Sequence, residues 1–227
     1  MNLAGARILV TGATGALGGR IAAGLSVAGA LLCVSGRNQT RLQEEVAAGL
    51  DAAWIGGDLR DPDFSRGLVH AAAGRLRGLD AVVHAAGVVA FGSIDHLDDA
   101  ALAELVEVNL TAPIRIVRGA SSCLTQGGVI VMISAIVATM PTAGMAAYSA
   151  VKAGLSAFDA AAGRELRRRG IRLLDVCPPH TATGLETRPI AGVAPSLSPG
   201  RDPDEIVARI LAAMSDESAR TVAFDAS

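Results

Sequence analysis

Aromatic residues are scarce: one Trp, one Tyr and four Phe make up 3% of 227 residues, while 51% of the chain is hydrophobic. The interior must therefore be built from Ala, Val, Leu and Ile, which suits a buried parallel sheet covered by helices. Long apolar runs are also missing. Mean hydropathy is +0.42, yet no stretch approaches the ~18 uninterrupted apolar residues of a membrane span. The longest candidate, Val129 to Met140, is broken by Ser134 and Thr139 and reads as a buried strand and its exit. Charge of one sign is not in excess: 20 basic and 22 acidic residues give a net −2, so there is no basic footprint for nucleic acid. The densest basic cluster, Arg164 to Arg169, closes an alanine-rich helix, where cations complement the dipole. Cysteines are few, odd in number and far apart: Cys33, Cys123 and Cys177 read as reduced core thiols, not as a disulfide frame. His70 and His96 form no ligand spacing with a Cys or carboxylate pair, so no metal site is expected. Met1 to Arg7 runs straight into the first predicted strand, leaving no room for a removable signal segment. A cytoplasmic protein without membrane or nucleic-acid partners is the expectation.

What is present is alternation. Strand candidates are Arg7–Val10, Ala30–Ser35, Ala52–Ile55, Ala81–His84, Val129–Ser134, Arg172–Val176 and Thr221–Phe224, separated by helical patterns of crossover length. Right-handed crossovers then predict an α/β fold: one domain over residues 1–227, a doubly wound parallel sheet of about seven strands flanked by helices. In such a sheet ligands bind beyond the carboxyl ends of the strands. The one long irregular segment, Thr183 to Pro203, is rich in Pro and Gly and is expected to form a short lid at about 184–203 over that crevice.

The motifs fall at these strand ends. Ile8-Leu9-Val10 leads into Thr11-Gly12-Ala13-Thr14-Gly15-Ala16-Leu17-Gly18. Gly12 permits a tight turn and Gly18 close packing of helix on strand. The helix start around Thr14, Gly15, Ala16 and Leu17 offers unpaired backbone N–H groups to a pyrophosphate, as in the Rossmann dinucleotide turn. After the second strand, Val34-Ser35-Gly36-Arg37-Asn38 lacks the Asp or Glu that would bind a ribose 2′-hydroxyl. Arg37 instead offers a guanidinium fork suited to a 2′-phosphate, which favours NADP over NAD. Asp58 and Leu59 after the third strand, and His84-Ala85-Ala86-Gly87 after the fourth, are placed to border the adenine and the adjoining ribose. Tyr148 and Lys152 share one face of a helix. An ammonium beside a phenol favours the phenolate and makes the hydroxyl a usable proton donor. A nucleotide turn together with such a tyrosine suggests hydride transfer.

Over nearly its whole length the chain resembles the short-chain dehydrogenase/reductase superfamily. The matching pieces are the turn at 11–18, Asp58, Ala85-Ala86-Gly87, Asn109 within Val108-Asn109-Leu110, the Tyr148/Lys152 pair, and Pro178-Pro179-His180-Thr181-Ala182-Thr183. The resemblance implies NAD(P)-dependent interconversion of a carbonyl and a secondary alcohol. By the same resemblance Tyr148 moves the proton, Lys152 binds the nicotinamide ribose and lowers the tyrosine pKa, and Asn109 holds a relay water. The segment from Pro178 through Thr181 and Thr183 would contact the nicotinamide amide and neighbouring phosphate. A homodimer or homotetramer is implied as well, with the helix from about Ala146 to Leu166 as one packing surface. The substrate is a small carbonyl or alcohol whose identity is not legible; Met140, Met145, Leu185 and Ile190 suggest a modest apolar pocket.

Departures from the family pattern set the open questions. The spacing of Gly12, Gly15 and Gly18 resembles the extended and atypical branches, although the length rules out their large substrate domain, which also disfavours an epimerase or dehydratase. His84, within Val82-Val83-His84-Ala85-Ala86, reads as a strand-end packing residue. The family's catalytic serine commonly lies thirteen residues before the tyrosine, where this chain has Ala135; Ser134 is one residue earlier. In a regular strand that shift turns the side chain to the opposite face. Three outcomes stay open: a bulge re-aims Ser134 into the pocket as the catalytic donor, another donor such as His180 or Thr142 serves, or catalysis is weak. The last would make the protein an NADP-binding sensor or scaffold. His180 also reads as a residue fixing the entry turn of the lid.

Overall fold

Short β-branched runs closed by Gly or a small polar residue become strands here, and the sheet they form decides where every motif lands. The structure, a computed structural model, describes residues 1–224; residues 225–227 of the expected domain lie outside them. Seven strands pair in parallel, β1 (Arg7–Thr11), β2 (Leu31–Gly36), β3 (Ala52–Gly56), β4 (Ala81–His84), β5 (Val129–Ile133), β6 (Arg172–Cys177) and β7 (Thr221–Ala223), in the order β3-β2-β1-β4-β5-β6-β7. Each bound lies within one residue of its expected position. The order reverses between β1 and β4, whose last residues Thr11 and His84 are in register. At such a switch point the flanking loops part and leave a crevice.

The helices are α1 (Ala16–Val27), α2 (Gln39–Ala47), α3 (Pro62–Leu76), α4 (Asp99–Val106), α5 (Ala112–Cys123), α6 (Ala146–Arg167) and α7 (Pro203–Ser215). Alternation along the strands divides the core between two faces. Ile8, Val10, Val83 and Val131 pack with Ile21 and Leu25 of α1 and Ile206 and Ile210 of α7. Leu9, Val82, Ile130 and Met132 pack with Leu68 of α3, Ile116 of α5 and Leu155 of α6. Both faces of the sheet are thus covered, as its aliphatic composition requires. Asp61 and Asp202 cap α3 and α7 by accepting backbone N–H bonds, each followed by a proline at the first helical position.

Two irregularities shape the carboxyl end of the sheet. Between α4 and α5 the chain widens into one π turn, Glu107–Thr111, a distortion often found at functional sites. The irregular chain after β6 is closed at its neck: Arg201 N–H donates to the His180 carbonyl and Ala182 N–H to the Arg201 carbonyl. Its far end is pinned to the segment after β4, with Ile190 N–H donating to Val89 and Phe91 N–H to Ala191. Leu185 and Ile190 pack there on a third apolar cluster containing Val89, Phe91, Val137 and Tyr148. Among the described residues no helix is long and apolar enough to cross a membrane.

The contact of α1 with the first turn gives a stability test. A Cβ on Gly18 would come within 2.3 Å of the Gly12 carbonyl oxygen, whereas a Cβ on Gly67, exposed within α3, meets nothing within 4 Å. Gly18→Ala should lower unfolding stability by about 1–3 kcal/mol through overpacking. Gly67→Ala should raise it by about 0.5–1 kcal/mol through helix propensity. Denaturant unfolding of both variants checks the pair of opposite signs.

Candidate active site

The first turn is built as an anion cradle. Gly12 adopts φ 71°, and a Cβ there would meet the Ala86 backbone nitrogen at 2.6 Å, so glycine lets the turn lie directly on the Ala85-Ala86 backbone. Gly15 caps α1 in extended conformation with no side-chain cap. The first N–H groups of α1, at Ala16, Leu17 and Gly18, therefore have no intrahelical acceptor. Thr14 reaches across to β2, where a Cβ on Gly36 would lie 2.8 Å from its Oγ1. The cradle thus joins the ends of β1, β2 and β4 at the switch point.

Arg37 follows β2 with its side chain 58% exposed and its guanidinium 3.9 Å from Glu104. Glu104 also meets Arg60 at 3.2 Å, and Arg60 pairs with Asp58 at 2.6 Å. Burial alone would raise the Asp58 carboxyl, but hydrogen bonds from Arg60 and the charges of Arg60 and Arg37 bring it below the usual carboxylate range. Leu59 is buried beside it. Arg60 and Glu104 were not singled out in the sequence; an arginine two residues after Asp58 in the same loop was the available signal.

The structure brings Gly87, Asn109, Tyr148 and Lys152 together. Lys152 Nζ lies 5.8 Å from the centre of the Tyr148 ring and donates to the Ile133 carbonyl at 2.9 Å. A Cβ on Gly87 would stand 3.1 Å from Asn109 Oδ1 and 3.7 Å from Lys152 Nζ, so glycine keeps this space open. The π turn aims Asn109 inward, where Oδ1 accepts from Val88 N–H at 3.2 Å and Nδ2 donates to the carbonyls of Val88 and Leu105. Burial raises the Tyr148 phenol above its ordinary value, the reverse of the expected lowering by Lys152, so the hydroxyl is protonated at neutral pH. Burial lowers Lys152 to about 8 against the opposing charges of Asp175, Asp159 and Cys177. His84 bonds Thr11 Oγ1 through Nδ1 at 2.8 Å; burial and the Lys152 charge push it down to about 3, so it packs as a neutral ring.

Ser134 requires a correction. β5 ends at Ile133 without a bulge that turns Ser134 into the pocket, and the strand's alternation sends its side chain toward β6. Its buried hydroxyl donates to the Asp175 carboxylate and lies 3.0 Å from both the Val176 carbonyl and Cys177 Sγ. The residue that packs with the Tyr148 cluster is Ala135. Of the other candidate donors, Thr142 is exposed and donates to the Met140 carbonyl, and the His180 carbonyl accepts from Arg201 N–H at the neck of the irregular chain after β6. Beyond β6, the chain continues through Pro178 to Thr181 and Thr183, whose hydroxyls donate locally to the carbonyls of Pro179 and Thr181. Met145, Leu185 and Ile190 line the Tyr148 cluster as expected; Met140 is 54% exposed and lies outside it. The acids behind Lys152, Asp159 and Asp175, were not anticipated, although an aspartate in an apolar strand and another in an alanine-rich helix were visible.

The fold that carries these residues is shared with known proteins. The short chain dehydrogenase family model matches residues 6–191. An uncharacterized oxidoreductase of Methylorubrum extorquens is 32% identical, covering 97% of this chain and 94% of its own length. The 3-oxoacyl-[acyl-carrier-protein] reductase of Escherichia coli K12 is 27% identical over 96% of this chain and 93% of its own. A crystal structure of a short chain dehydrogenase from Burkholderia cenocepacia in complex with NADP superposes with a TM-score of 0.87 at 30% identity, covering 98% of this chain and 96% of that one.

With its hydroxyl committed to Asp175, Ser134 should behave as a structural residue. Ser134→Ala leaves the half-buried Asp175 carboxylate short of a donor and should cost about 1–3 kcal/mol of unfolding stability. Denaturation at pH 7 checks this; an unchanged midpoint would mean the bond to Asp175 contributes nothing.

Proposed function

The chain belongs to the short-chain dehydrogenase/reductase family of oxidoreductases, and from that premise we propose that it interconverts a small carbonyl and a secondary alcohol with NADP, using Tyr148 as acid and base. The observation that carries this reading is the buried Tyr148 phenol beside Lys152, with Asn109 and Gly87 around them, at the mouth of the Gly12–Gly18 cradle.

The residues fit a dinucleotide. The open N–H groups at the start of α1 suit a pyrophosphate, and Gly12 keeps the turn free of a Cβ that the Ala86 backbone would exclude. When bound, the nicotinamide supplies or accepts the hydride. The chain's own residues handle the proton and the oxygen. In reduction, the neutral Tyr148 hydroxyl donates to the developing alkoxide, and Lys152, held by the Ile133 carbonyl, stabilises the phenolate that remains. Asn109, fixed by Val88 and Leu105, holds a water of the proton relay, and Thr181 and Thr183 border the nicotinamide. Ala135 offers the substrate oxygen a methyl group, so Tyr148 carries more of its hydrogen bonding than in a site with a serine.

Arg37 supports NADP over NAD: it is exposed, pairs with Glu104 only at 3.9 Å, and follows a strand end whose own sequence carries no acid to bind a ribose diol. The Burkholderia cenocepacia dehydrogenase binds NADP. The lid residues Leu185 and Ile190 favour a substrate with apolar flanks. A cytoplasmic homodimer or homotetramer packed through α6 completes the reading. A weakly active NADP-binding sensor is not favoured, since the relatives in hand are oxidoreductases and Tyr148, Lys152 and Asn109 are all present.

Arg37→Ala should weaken NADPH binding by about 1–3 kcal/mol, the scale of a lost charge-assisted contact, and leave NADH nearly unchanged. Fluorescence titration with both cofactors checks this, and equal losses would refute the preference. Tyr148→Phe should abolish NADPH-dependent reduction across a carbonyl panel while holding NADPH affinity within about threefold, because the hydroxyl moves a proton and does not bind the dinucleotide. Ala135→Ser should raise kcat, up to the roughly 10²-fold that one added oxyanion donor supplies.

A further inference from the structure

Behind Lys152, on the side away from the crevice, the buried face of α6 stays polar. Lys152, Ser156 and Asp159 follow at spacings of four and three, which sets them in one row along the helix. β6 sets Asp175 and Cys177 on the same side as Leu173, facing α6, and Ser134 ties them together from the end of β5. Asp159 is only 2% exposed, and among the described residues neither of its carboxylate oxygens has a hydrogen-bond partner, while the neighbouring Ser156 bears on Cys177. A buried carboxylate without a donor is costly enough to keep its proton or a bound water. The row ends in a cleft of about 220 Å³ lined by Asp159, Asp175, Arg164, Arg167, Arg172 and Arg220.

We propose that this row is a proton path between the Tyr148–Lys152 pair and the cleft, with Asp159 as the carrier at its outer end and supply entering from the face opposite Asn109. Each carbonyl reduced takes one proton from Tyr148. Lys152 returns a proton to Tyr148, Asp159 returns one to Lys152 through the Ser156 hydroxyl and water, and the cleft solvent restores Asp159; oxidation of an alcohol runs the same transfers backwards.

The electrostatics suit a carrier. Burial and the charge of Asp175 raise Asp159 to about 8 against the opposing charge of Lys152, and burial brings Lys152 to about 8 as well. The two groups act on each other: Lys152 lowers Asp159, and Asp159 raises Lys152. Of the surrounding groups, β6 contributes Asp175, Cys177 and Arg172, the approach to β7 contributes Arg220, β4 contributes His84 beside Lys152, and α6 itself contributes Arg164 and Arg167. α5 meets α6 through apolar residues such as Ile116 against Leu155. Arg172 and Arg220 donate to backbone carbonyls at 214 and 216 and at 217 and 219, which occupies them away from Asp159.

The inference rests on the oxidoreductase reading, and two measurements separate them. Carboxyl-labelled aspartate NMR needs no turnover: the protein should show one carboxyl titrating near 8, absent in Asp159→Asn and shifted upward in Lys152→Met. NADPH oxidation with ethyl acetoacetate as the probe, followed across pH in H₂O and D₂O, tests the path itself. Asp159→Asn should lower kcat by about tenfold, less than the 10²–10⁴ of a direct general acid. It should also enlarge the solvent isotope effect, respond to added imidazole, and leave NADPH affinity unchanged. Asp159→Glu should retain the wild-type profile, which separates a carrier from a residue needed only for folding. A carboxyl titrating in the ordinary range and indifferent to Lys152→Met overturns the proposal. So does an active parent whose Asp159→Asn variant keeps the same pH profile and isotope effect. A parent that reduces no probe carbonyl counts against the oxidoreductase reading, and the NMR titration then decides the proton link alone.

Discussion

A cation enclosed in an aliphatic core is the constraint around which this molecule is organised. Lys152 Nζ is buried among strands of Val, Ile and Leu, and the hydrogen bond to the Ile133 carbonyl fixes where it sits. That bond requires β5 to end where it does, since the carbonyl must face α6 and not a neighbouring strand. It also requires room on the other side, which Gly87 provides by leaving no Cβ between Nζ and Asn109. Asn109 in turn is aimed by a π turn that interrupts an otherwise regular run from Asp99 to Cys123. Burial of an ammonium is unfavourable unless charge or hydrogen bonding compensates it, and the opposing acids Asp159 and Asp175 lie on the same side of the sheet.

Much of this was legible in the residues. Strand positions followed from β-branched runs bounded by Gly and turn residues, and a crevice at the carboxyl ends of the strands followed from the glycine turn after the first strand together with Ala85-Ala86-Gly87 after the fourth. Those signals are local, and local signals survive folding with bounds shifted by a residue. The orientation of Ser134 was a matter of parity at a strand end, where one residue more of regular strand reverses the side chain. Sequence left a bulge and a straight exit as alternatives, and the straight exit sends the hydroxyl to Asp175. The acidic row was hidden for another reason. Asp159 and Asp175 sit on different elements, and only the crossover from α6 to β6 lays one over the other. The closed neck of the irregular chain after β6, made by backbone bonds between 180–182 and 201, leaves no side-chain signature at all.

The displaced serine and the buried acids are two sides of one change. A hydroxyl at position 135 would serve the substrate; at 134 it serves Asp175, and through Asp175 it bears on the charge state of Lys152. In the proposed mechanism the donor therefore supports Asp175 and, through it, Lys152, and not the carbonyl. A carbonyl with one strong donor in place of two depends more steeply on that donor being protonated when the hydride arrives. Burial already favours the neutral form of Tyr148, so in the proposed reduction the remaining demand is to restore its proton. In the proposed path, Asp159, behind Lys152 and raised by burial and by Asp175, answers that demand.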